Sequence, residues 1–360
     1  MGSWAPAAVV AAVLLGGGLT GCDGGGGGTP SPSATSPNSA RTSAPTATGT
    51  GPDGAAASAA ALQAAFVAVV AEVRPQVVQI STGSSLGSGV VFDRAGDVVT
   101  NAHVVGTATE FTVQLLDGQQ VAATLVGVYA PDDLAVIRLT GAANLSPATF
   151  AESSSVKVGE IVFAVGNPLG LSSSVTDGIV SYNGRPVSEG NGVVLPSTIQ
   201  TSAPINPGNS GGALVDLAGQ VIGIPTLAAA DQQAGGAAAG IGFAVPSDTV
   251  ELIVPQLIES GRVTHSDRAA LDISAVDALS STGQPLGAVV VGLAAGGSAA
   301  RAGVREGDLI TMLAGTKVTS LADLQKVLAG LAPGQDVSLV VRSPDGTARS
   351  LTAVLGQLQG

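Results

Sequence analysis

Between about residue 76 and residue 246 the chain consists of short runs rich in valine, isoleucine and threonine. Turn signals interrupt these runs about every 8 to 12 residues. Examples are Asp93-Arg94-Ala95-Gly96, Asp117-Gly118 and Asn183-Gly184. This rhythm predicts an all-β sandwich or barrel. Ahead of it, apolar residues recur at helical spacing from Ala57 to Glu72 and stop before Pro75, which predicts one amphipathic helix.

Composition limits the classes of protein that remain. The 360 residues are 45% hydrophobic and 11% charged, enough for two to three domains with their own cores. The net charge of −12 argues against nucleic acid as a partner, because phosphate backbones bind through lysine and arginine. With one cysteine and two histidines the chain has no intramolecular disulfide and few metal ligands, so we expect no metal and no cofactor.

The amino-terminal segment predicts export. Residues 6–21 are apolar, are shorter than the ~20 residues that span a bilayer, and end in Leu19-Thr20-Gly21-Cys22. This resembles a bacterial lipoprotein signal, which implies removal of residues 1–21 and acylation of Cys22. The first four residues lack the lysine or arginine usual there, and the alternative is an ordinary cleaved signal with an incidental cysteine. Residues 22–57, rich in glycine, serine, threonine and proline, predict a disordered linker.

Three strings in the β-rich segment carry reactive groups, in the order histidine, aspartate, serine. The first is Gly87-Ser88-Gly89-Val90-Val91-Phe92 followed by Thr100-Asn101-Ala102-His103-Val104-Val105. The second is Asp132-Asp133-Leu134-Ala135-Val136, and the third is Asn206-Pro207-Gly208-Asn209-Ser210-Gly211-Gly212. A serine hydroxyl becomes a nucleophile when an imidazole takes its proton and a carboxylate orients the imidazole. Glycines around the serine expose it and leave the N–H groups of Gly208 and Ser210 free to hold an oxyanion. Each string alone has an ordinary structural explanation, but together they predict a catalytic triad.

The segment from Phe66 to Val263 resembles HtrA/DegP-type serine proteases. The strings that carry the resemblance are Thr100-Asn101-Ala102-His103, Val165-Gly166-Asn167-Pro168-Leu169-Gly170, Val175-Thr176-Asp177-Gly178-Ile179-Val180, Ile199-Gln200-Thr201 and Ile241-Gly242-Phe243-Ala244-Val245-Pro246. The resemblance implies a mainly β, chymotrypsin-like double β-barrel protease domain over residues 58–262. It makes His103 the general base, Asp133 its orienting partner and Ser210 the nucleophile, with Gly208 and Ser210 forming the oxyanion hole.

The chain departs from the family's pattern before the nucleophile. Residues 202–204 read Ser-Ala-Pro, and Pro204 stands where trypsin-like enzymes place the carboxylate that binds a basic side chain. A basic specificity pocket is therefore not expected. The apolar strings Ile222-Gly223-Ile224 and Ile241-Gly242-Phe243 favour a small or medium aliphatic residue before the scissile bond.

A helix is predicted over residues 247–260, capped by Ser247 and stopped by Gly261, and a second domain follows over residues 263–360. Its predicted strand and helix order and the string Ala302-Gly303-Val304-Arg305-Glu306-Gly307-Asp308 resemble an α+β PDZ domain. In that family a C-terminal peptide adds to a sheet edge and loop N–H groups hold its carboxylate. The matching loop offers four candidate peptide-binding residues, Ala270, Leu271, Asp272 and Ile273. It lacks the usual glycines, and we expect the Asp272 charge to repel a carboxylate.

The sequence thus predicts a lipid-anchored, extracytoplasmic endopeptidase that degrades unfolded or damaged proteins and is regulated by its PDZ domain. The resemblance also implies a homotrimer with Phe66 at its interface and a regulatory role for Arg185. Two alternatives stay open. One is a non-catalytic holdase that binds peptides, and the other is a latent protease whose loops order when a peptide binds.

Overall fold

The computed structural model describes residues 52–83, 85–141, 144–167, 174–190, 193–206, 208–231, 236–280 and 282–360. The predicted signal segment, Cys22 and most of the predicted linker lie outside these ranges. The description below therefore begins at Pro52, the first residue of a compact unit that extends to Gly360.

The first element is helix α1 (Pro52–Val73), which is long and apolar enough to cross a membrane by length and composition alone. It begins inside the segment predicted as linker, because Pro52 suits the first helical position and the alanines after it are the strongest helix formers. Its carboxyl-terminal half belongs to the folded core. Val69 and Val73 are buried there, and the Phe66 ring packs edge-on against Phe163 with ring centroids 4.8 Å apart.

Six antiparallel strands form a first closed barrel in the order β1-β2-β3-β6-β5-β4. The strands are β1 (Val77–Ser81), β2 (Leu86–Val91), β3 (Asp97–Thr100), β4 (Glu110–Gln114), β5 (Gln120–Tyr129) and β6 (Leu134–Leu139). The one-turn helix α2 (Ala102–Val105) follows β3, and a 3-10 turn (Ala130–Asp132) precedes β6. Apolar side chains alternate inward along β4 and β5, as expected for strands with one buried face.

A second closed barrel has the order β11-β14-β13-β12-β7-β8. Its strands are β7 (Ile161–Gly166), β8 (Ser174–Asn183), β11 (Ile199–Thr201), β12 (Ala213–Val215), β13 (Val221–Asp231) and β14 (Gly236–Pro246). Between β8 and β11 the strands β9 (Val187–Gly190) and β10 (Val193–Leu195) pair as a hairpin. One apolar cluster joins the two barrels with α1 and α3, and it includes Val90, Tyr129, Phe163 and Val215.

Helix α3 (Ser247–Ser260) follows the second barrel and ends at Gly261, whose φ of +69° suits glycine. The predicted bounds are confirmed, but the predicted cap is wrong. Ser247 is the first helical residue, and its hydroxyl donates to the carbonyl oxygen of Ala151 instead of bonding the helix N-terminus. The N-cap position is taken by Pro246.

The carboxyl-terminal domain is built on a separate apolar core. Its main sheet has the order β16-β17-β18-β20-β21, with β19 on β18, and a two-stranded sheet pairs β15 with β22. The strands are β15 (Ala269–Ala270), β16 (Ile273–Leu279), β17 (Pro285–Leu293), β18 (Leu309–Leu313), β19 (Thr316–Lys317), β20 (Asp336–Arg342), β21 (Ala348–Val354) and β22 (Gly356–Gln357); the helices are α4 (Ser298–Ala302) and α5 (Leu321–Ala329). Two barrels followed by a PDZ domain confirm the predicted fold class.

Candidate active site

His103 and Asp133 are brought together by the pairing of β3 with β6. Thr100 at the end of β3 lies opposite Ala135, so the residues just beyond Thr100 meet those just before Leu134. His103 Nδ1 lies 2.8 Å from Asp133 Oδ2, and the His103 N–H donates to Asp133 Oδ1 at 2.9 Å. The carboxylate is 4% exposed and the imidazole 49% exposed, so the carboxylate fixes a ring that solvent and substrate can reach. This is the relation a histidine general base requires.

The backbone of Asp133 is held as firmly as its side chain. It adopts a left-handed conformation with φ of +51° after the 3-10 turn, which few residue types other than glycine, asparagine and aspartate tolerate. Its carbonyl oxygen accepts from the Asn101 side chain at 3.0 Å and from the Ala102 N–H at 3.1 Å. The residues flanking His103 thus fix the peptide from which the carboxylate extends.

Ser210 lies in the turn between β11 and β12 and comes from the second barrel. Its hydroxyl donates to the carbonyl oxygen of Thr226 at 3.1 Å, and the Thr226 hydroxyl donates to Asp133 Oδ2. One hydrogen-bond network therefore contains Ser210, Thr226, Asp133 and His103.

Two glycines shape the turn around Ser210. Gly208 has a φ of +102° and Gly211 a φ of +80°, both in the range that favours glycine. A Cβ on Gly211 would lie 2.2 Å from the carbonyl oxygen of Ser88, so any other residue would push the two barrels apart. Among the described residues, neither the Gly208 N–H nor the Ser210 N–H has an acceptor, as the predicted oxyanion hole requires.

The interface between the barrels is also held by Ser88, which is fully buried on β2. Its N–H donates to the Ser210 carbonyl oxygen at 3.0 Å, and its hydroxyl donates to the Gly208 carbonyl oxygen at 2.5 Å. The same hydroxyl oxygen accepts from the Asn167 N–H at 2.8 Å. Ser88 thus contacts both residues predicted to form the oxyanion hole.

The C-terminal domain contacts the turn that carries Asp133. The Arg268 guanidinium pairs with Asp132 at 2.9 Å and also donates to the carbonyl oxygens of Pro131 and Val194. Burial raises the pKa of the Asp132 carboxyl, and the charge and hydrogen bond of Arg268 partly offset this. The Arg268 side chain is 14% exposed and forms a largely buried link between the two domains.

A cavity of about 790 Å³ lies between β16 and α5. Its lining includes the four predicted peptide-binding residues, Ala270, Leu271, Asp272 and Ile273, together with residues of the protease domain such as Pro131 and Val194. Ala270 and Leu271 are buried, so this loop offers mainly backbone to an occupant. The peptide-binding role of these four residues stays a prediction.

The Asp272 side chain does not behave as the sequence predicted. Its φ of +56° matches the backbone that a glycine would adopt, but its carboxylate accepts from the Ser298 N–H at 2.8 Å. The charge therefore serves the N-terminus of α4 rather than facing a peptide carboxylate. The expected repulsion is corrected accordingly, because the N–H groups of a helix start are a favourable partner for an acid.

Arg185, the predicted regulatory residue, lies on the protease domain after β8. Its guanidinium stacks over the Tyr182 ring at 4.7 Å, and its carbonyl oxygen accepts from the Thr198 hydroxyl. It is not part of the cavity lining. A regulatory role for Arg185 stays a prediction.

In the part of the chain that the structure describes, no cluster of three or more histidine, cysteine or acidic residues could hold a metal.

Sequence reasoning missed Thr226, the Ser88 hydroxyl and the pair Arg268–Asp132. Thr226 follows Ile224-Pro225 in a strand and carries no local sign of catalysis. Ser88 stands in the string Gly87-Ser88-Gly89, which the sequence pattern includes with the His103 string, but that pattern assigns no role to its hydroxyl. Their partners lie far away in sequence, so only the closed barrels bring them together. The pairing of adjacent acids in Asp132-Asp133 was the one available signal, since two acids in a buried turn need a cation.

Comparisons with known proteins agree with this architecture. The chain matches the Trypsin-like peptidase domain over residues 87–224 and the PDZ domain over residues 289–343. It is 36% identical to the serine protease PepD of Mycobacterium tuberculosis over 81% of this chain and 66% of that protein. It is 40% identical to the periplasmic serine endoprotease DegP of Escherichia coli over 71% of this chain and 54% of that protein. The chain thus spans about half to two thirds of these relatives.

Solved structures of related proteases match this chain over nearly the whole length of each solved chain. An HtrA-type protease AlgW with a decapeptide has a TM-score of 0.56 and 31% identity, covering 81% of this chain and 98% of that one. The serine endoprotease from Yersinia pestis has a TM-score of 0.54 and 31% identity, covering 81% and 97%. Fold and site define a chymotrypsin-like peptidase that carries a PDZ domain. The chain belongs to the HtrA family of trypsin-like serine proteases, which confirms that part of the prediction.

Proposed function

We propose that the chain is an extracytoplasmic serine endopeptidase that hydrolyses unfolded or damaged polypeptides through an acyl-enzyme, without metal or cofactor. The observation that carries the proposal is the single hydrogen-bond network of Ser210, Thr226, Asp133 and His103. These groups supply a nucleophile, a base and a carboxylate that fixes the base. The names of the relatives, serine proteases and periplasmic endoproteases, support both the reaction and the location.

In the first step Ser210 Oγ attacks the scissile carbonyl carbon while its proton passes to His103. Asp133 stabilises the imidazolium, and the N–H groups of Gly208 and Ser210 bind the oxygen that becomes negative. His103 then returns the proton to the leaving amine. Water hydrolyses the ester by the same sequence in reverse and releases Ser210.

Side-chain selection before the scissile bond favours aliphatic residues. Pro204 places no carboxylate there, and Gly242 allows the Ile205 side chain to pack directly on the backbone of β14. A Cβ at Gly242 would lie 2.4 Å from Ile205 Cγ1, so the apolar contact is tight. A long basic side chain would find no counter-charge on these residues.

The groove between β16 and α5 is proposed to bind the C-terminal residues of hydrophobic peptides and so to regulate cleavage. The AlgW structures with bound peptides make such binding reasonable for a related chain. A lipid anchor at Cys22, a homotrimer and a regulatory role of Arg185 are proposed from the sequence alone. A holdase without activity is disfavoured, because a protein that only binds peptides does not need the hydrogen bonds that join Asp133 to His103 and Thr226.

Covalent labelling tests the nucleophile directly. Purified chain is treated with an alkylphosphonyl fluoride, which loses fluoride when a serine oxygen attacks phosphorus. We expect one adduct per chain, located on Ser210 by peptide mass spectrometry, and none in Ser210→Ala. A second test exchanges His103 for alanine, which should slow labelling strongly because the hydroxyl loses its base. Labelling of another serine at the same rate would reject the proposal.

A further inference from the structure

The hydroxyl of Ser88 is fully buried between the barrels and has two partners. It accepts from the Asn167 N–H at 2.8 Å and donates to the Gly208 carbonyl oxygen at 2.5 Å. A serine hydroxyl carries one proton. Since the Asn167 N–H occupies a lone pair of Ser88 Oγ, the proton is directed to Gly208.

The target of this bond is the least restrained residue of the predicted oxyanion hole. Gly208 has a φ of +102°, and glycine has no Cβ to resist rotation of its peptide planes. The preceding and following planes of Gly208 share only its own two dihedral angles. The carbonyl oxygen lies in the following plane and the N–H in the preceding one, so a bond to the oxygen fixes the following plane and leaves the N–H fewer orientations.

Ser88 acts on the other oxyanion donor through a different atom. Its N–H holds the Ser210 carbonyl oxygen at 3.0 Å, while its carbonyl oxygen accepts from the Thr100 hydroxyl at 2.6 Å. The Ser88 backbone is thereby fixed to the strand that leads into His103. Its side chain is the part that reaches Gly208.

We propose that Ser88 is a positioning residue for the oxyanion hole, whose hydroxyl holds the Gly208 carbonyl oxygen and so limits the directions in which the Gly208 N–H can point when the oxyanion develops. The inference rests on the proposed function and deepens it. Ser88 exchanges no atom or proton with substrate. The bond that forms is Ser210 Oγ to carbon, the carbonyl electron pair moves to oxygen, and the proton goes to His103. Ser88 lowers the barrier only by keeping one donor in place.

The test is Ser88→Ala in the full chain, with Ser247→Ala as a matched control. Ser247 is likewise fully buried, and its hydroxyl donates to the Ala151 carbonyl oxygen at the same distance of 2.5 Å, outside the site. We expect Ser88→Ala to lower kcat about 10- to 100-fold with KM changed less than about threefold, since loss of one oxyanion donor outright costs about 10²- to 10³-fold. Ser247→Ala should leave kcat within about twofold.

A tetrahedral analogue separates positioning from general loosening. A peptidyl trifluoromethyl ketone binds through a hemiketal oxygen that uses the oxyanion hole. We expect Ser88→Ala to weaken its binding by the same factor as kcat/KM, while affinity for the cleaved product peptide stays unchanged. Ser88→Cys keeps a weak donor, so it should fall between wild type and Ser88→Ala even if the alanine variant folds poorly.

The outcomes are distinct for the two proposals. If the wild-type chain does not cleave, the proposed function fails, whatever Ser88 does. If the wild type cleaves and Ser88→Ala keeps both kcat and ketone affinity, the positioning role is rejected. Equal losses in Ser88→Ala and Ser247→Ala would also reject it, because they would reflect stability alone.

Discussion

Thr226 joins the two ends of the catalytic network through two different atoms. Its carbonyl oxygen accepts from the Ser210 hydroxyl, and its own hydroxyl donates to Asp133. A hydrogen bond to a charged group is worth roughly 1.5–3 kcal/mol. The side chain therefore helps fix the carboxylate that orients His103, while the backbone contact does not depend on the side chain.

Thr226→Val keeps the shape and the carbonyl but removes the hydroxyl. We expect kcat to fall about tenfold or more with KM little changed, because one of the bonds that hold Asp133 is lost. Thr311→Val is the control, since the Thr311 hydroxyl donates to the Val340 carbonyl oxygen within the C-terminal domain. Steady-state kinetics give kcat and KM for both variants. Equal kcat in the two variants would show that Thr226 has no part in orienting the triad.

The sequence predicted the three residues that are proposed to react but not the roles of the residues that hold them. His103, Asp133 and Ser210 stand in short strings whose residue types and order indicate their chemistry. Thr226 is a hydroxyl residue in a strand with no local signal, and Ser88 stands in the string Gly87-Ser88-Gly89, which gives its hydroxyl no role. Their roles come from contacts that span 120 and 93 positions of the chain, which no local pattern can show.

At the scale of elements, helix α4 explains why an acid occupies the peptide loop. The Asp272 carboxylate accepts from the Ser298 N–H, at the first residue of this short helix. An acidic side chain at a helix N-terminus stabilises by about 0.5–2 kcal/mol. The residue also adopts a positive φ, which costs a non-glycine residue roughly 1 kcal/mol.

Two substitutions of Asp272 separate these contributions. Asp272→Gly loses the cap but removes the backbone strain, so we expect a change in stability within about 1 kcal/mol. Asp272→Ala loses the cap and keeps the strain, so it should be about 1 kcal/mol less stable than the glycine variant. Peptide affinity should change less than about threefold in both, measured by calorimetric titration. A gain above tenfold in Asp272→Gly would mean that the charge faces the peptide after all.

Element types were predictable where local signals agreed with tertiary packing. The helix over residues 247–260 has its predicted bounds because Gly261 stops it, although Ser247 does not cap it. The structure adds β15 and the start of β16 within the segment expected to be a loop. Those strands depend on partners at Gly356–Gln357 and Pro285–Leu293, so the local sequence gives little sign of them. The alanine run extends α1 upstream for the opposite reason, its own high helix propensity.

At the scale of the whole molecule, Arg268 links the C-terminal domain to the protease. The Arg268 side chain is 14% exposed and its partner Asp132 is 4% exposed, so the pair lies in a region of weak screening. The pKa of Asp132 is raised above its unfolded value by burial. An acid whose pKa is higher in the folded than in the unfolded protein stabilises the fold at low pH. For Asp132 this contribution is complete below the unfolded pKa and is lost as the pH rises through the folded pKa.

Arg268→Ala leaves the buried Asp132 carboxylate without its cation. We expect a loss of about 3 kcal/mol or more at pH 8, shrinking as the pH is lowered and the carboxyl becomes neutral. Adding Asp132→Ala should recover part of the loss at pH 8. Urea unfolding of the three forms at pH 4 and pH 8 measures this. A loss that does not depend on pH would mean that Arg268 acts by packing rather than by charge.

Membrane attachment is a second property of the whole chain. If Cys22 is acylated with at least two chains, the protein should partition with membranes, since two chains hold stably where one is marginal. Cys22→Ser should release the protein or block its processing. Fractionation of cells that express each form measures the distribution. Equal membrane association of the variant would place the anchor in the apolar segment itself.

Cleavage of an unfolded protein by residues 52–360 tests the central claim most directly, because this compact unit contains both domains and the whole network around Ser210. We expect cleavage by the wild type, a faster rate when a hydrophobic C-terminal peptide is added, and a fall in kcat on the order of 10⁶ in either Ser210→Ala or His103→Ala. The double variant should be little slower than either single one, since the triad acts as a unit. Undiminished cleavage by Ser210→Ala, or no cleavage by the wild type with or without peptide, would contradict a serine endopeptidase built on this triad.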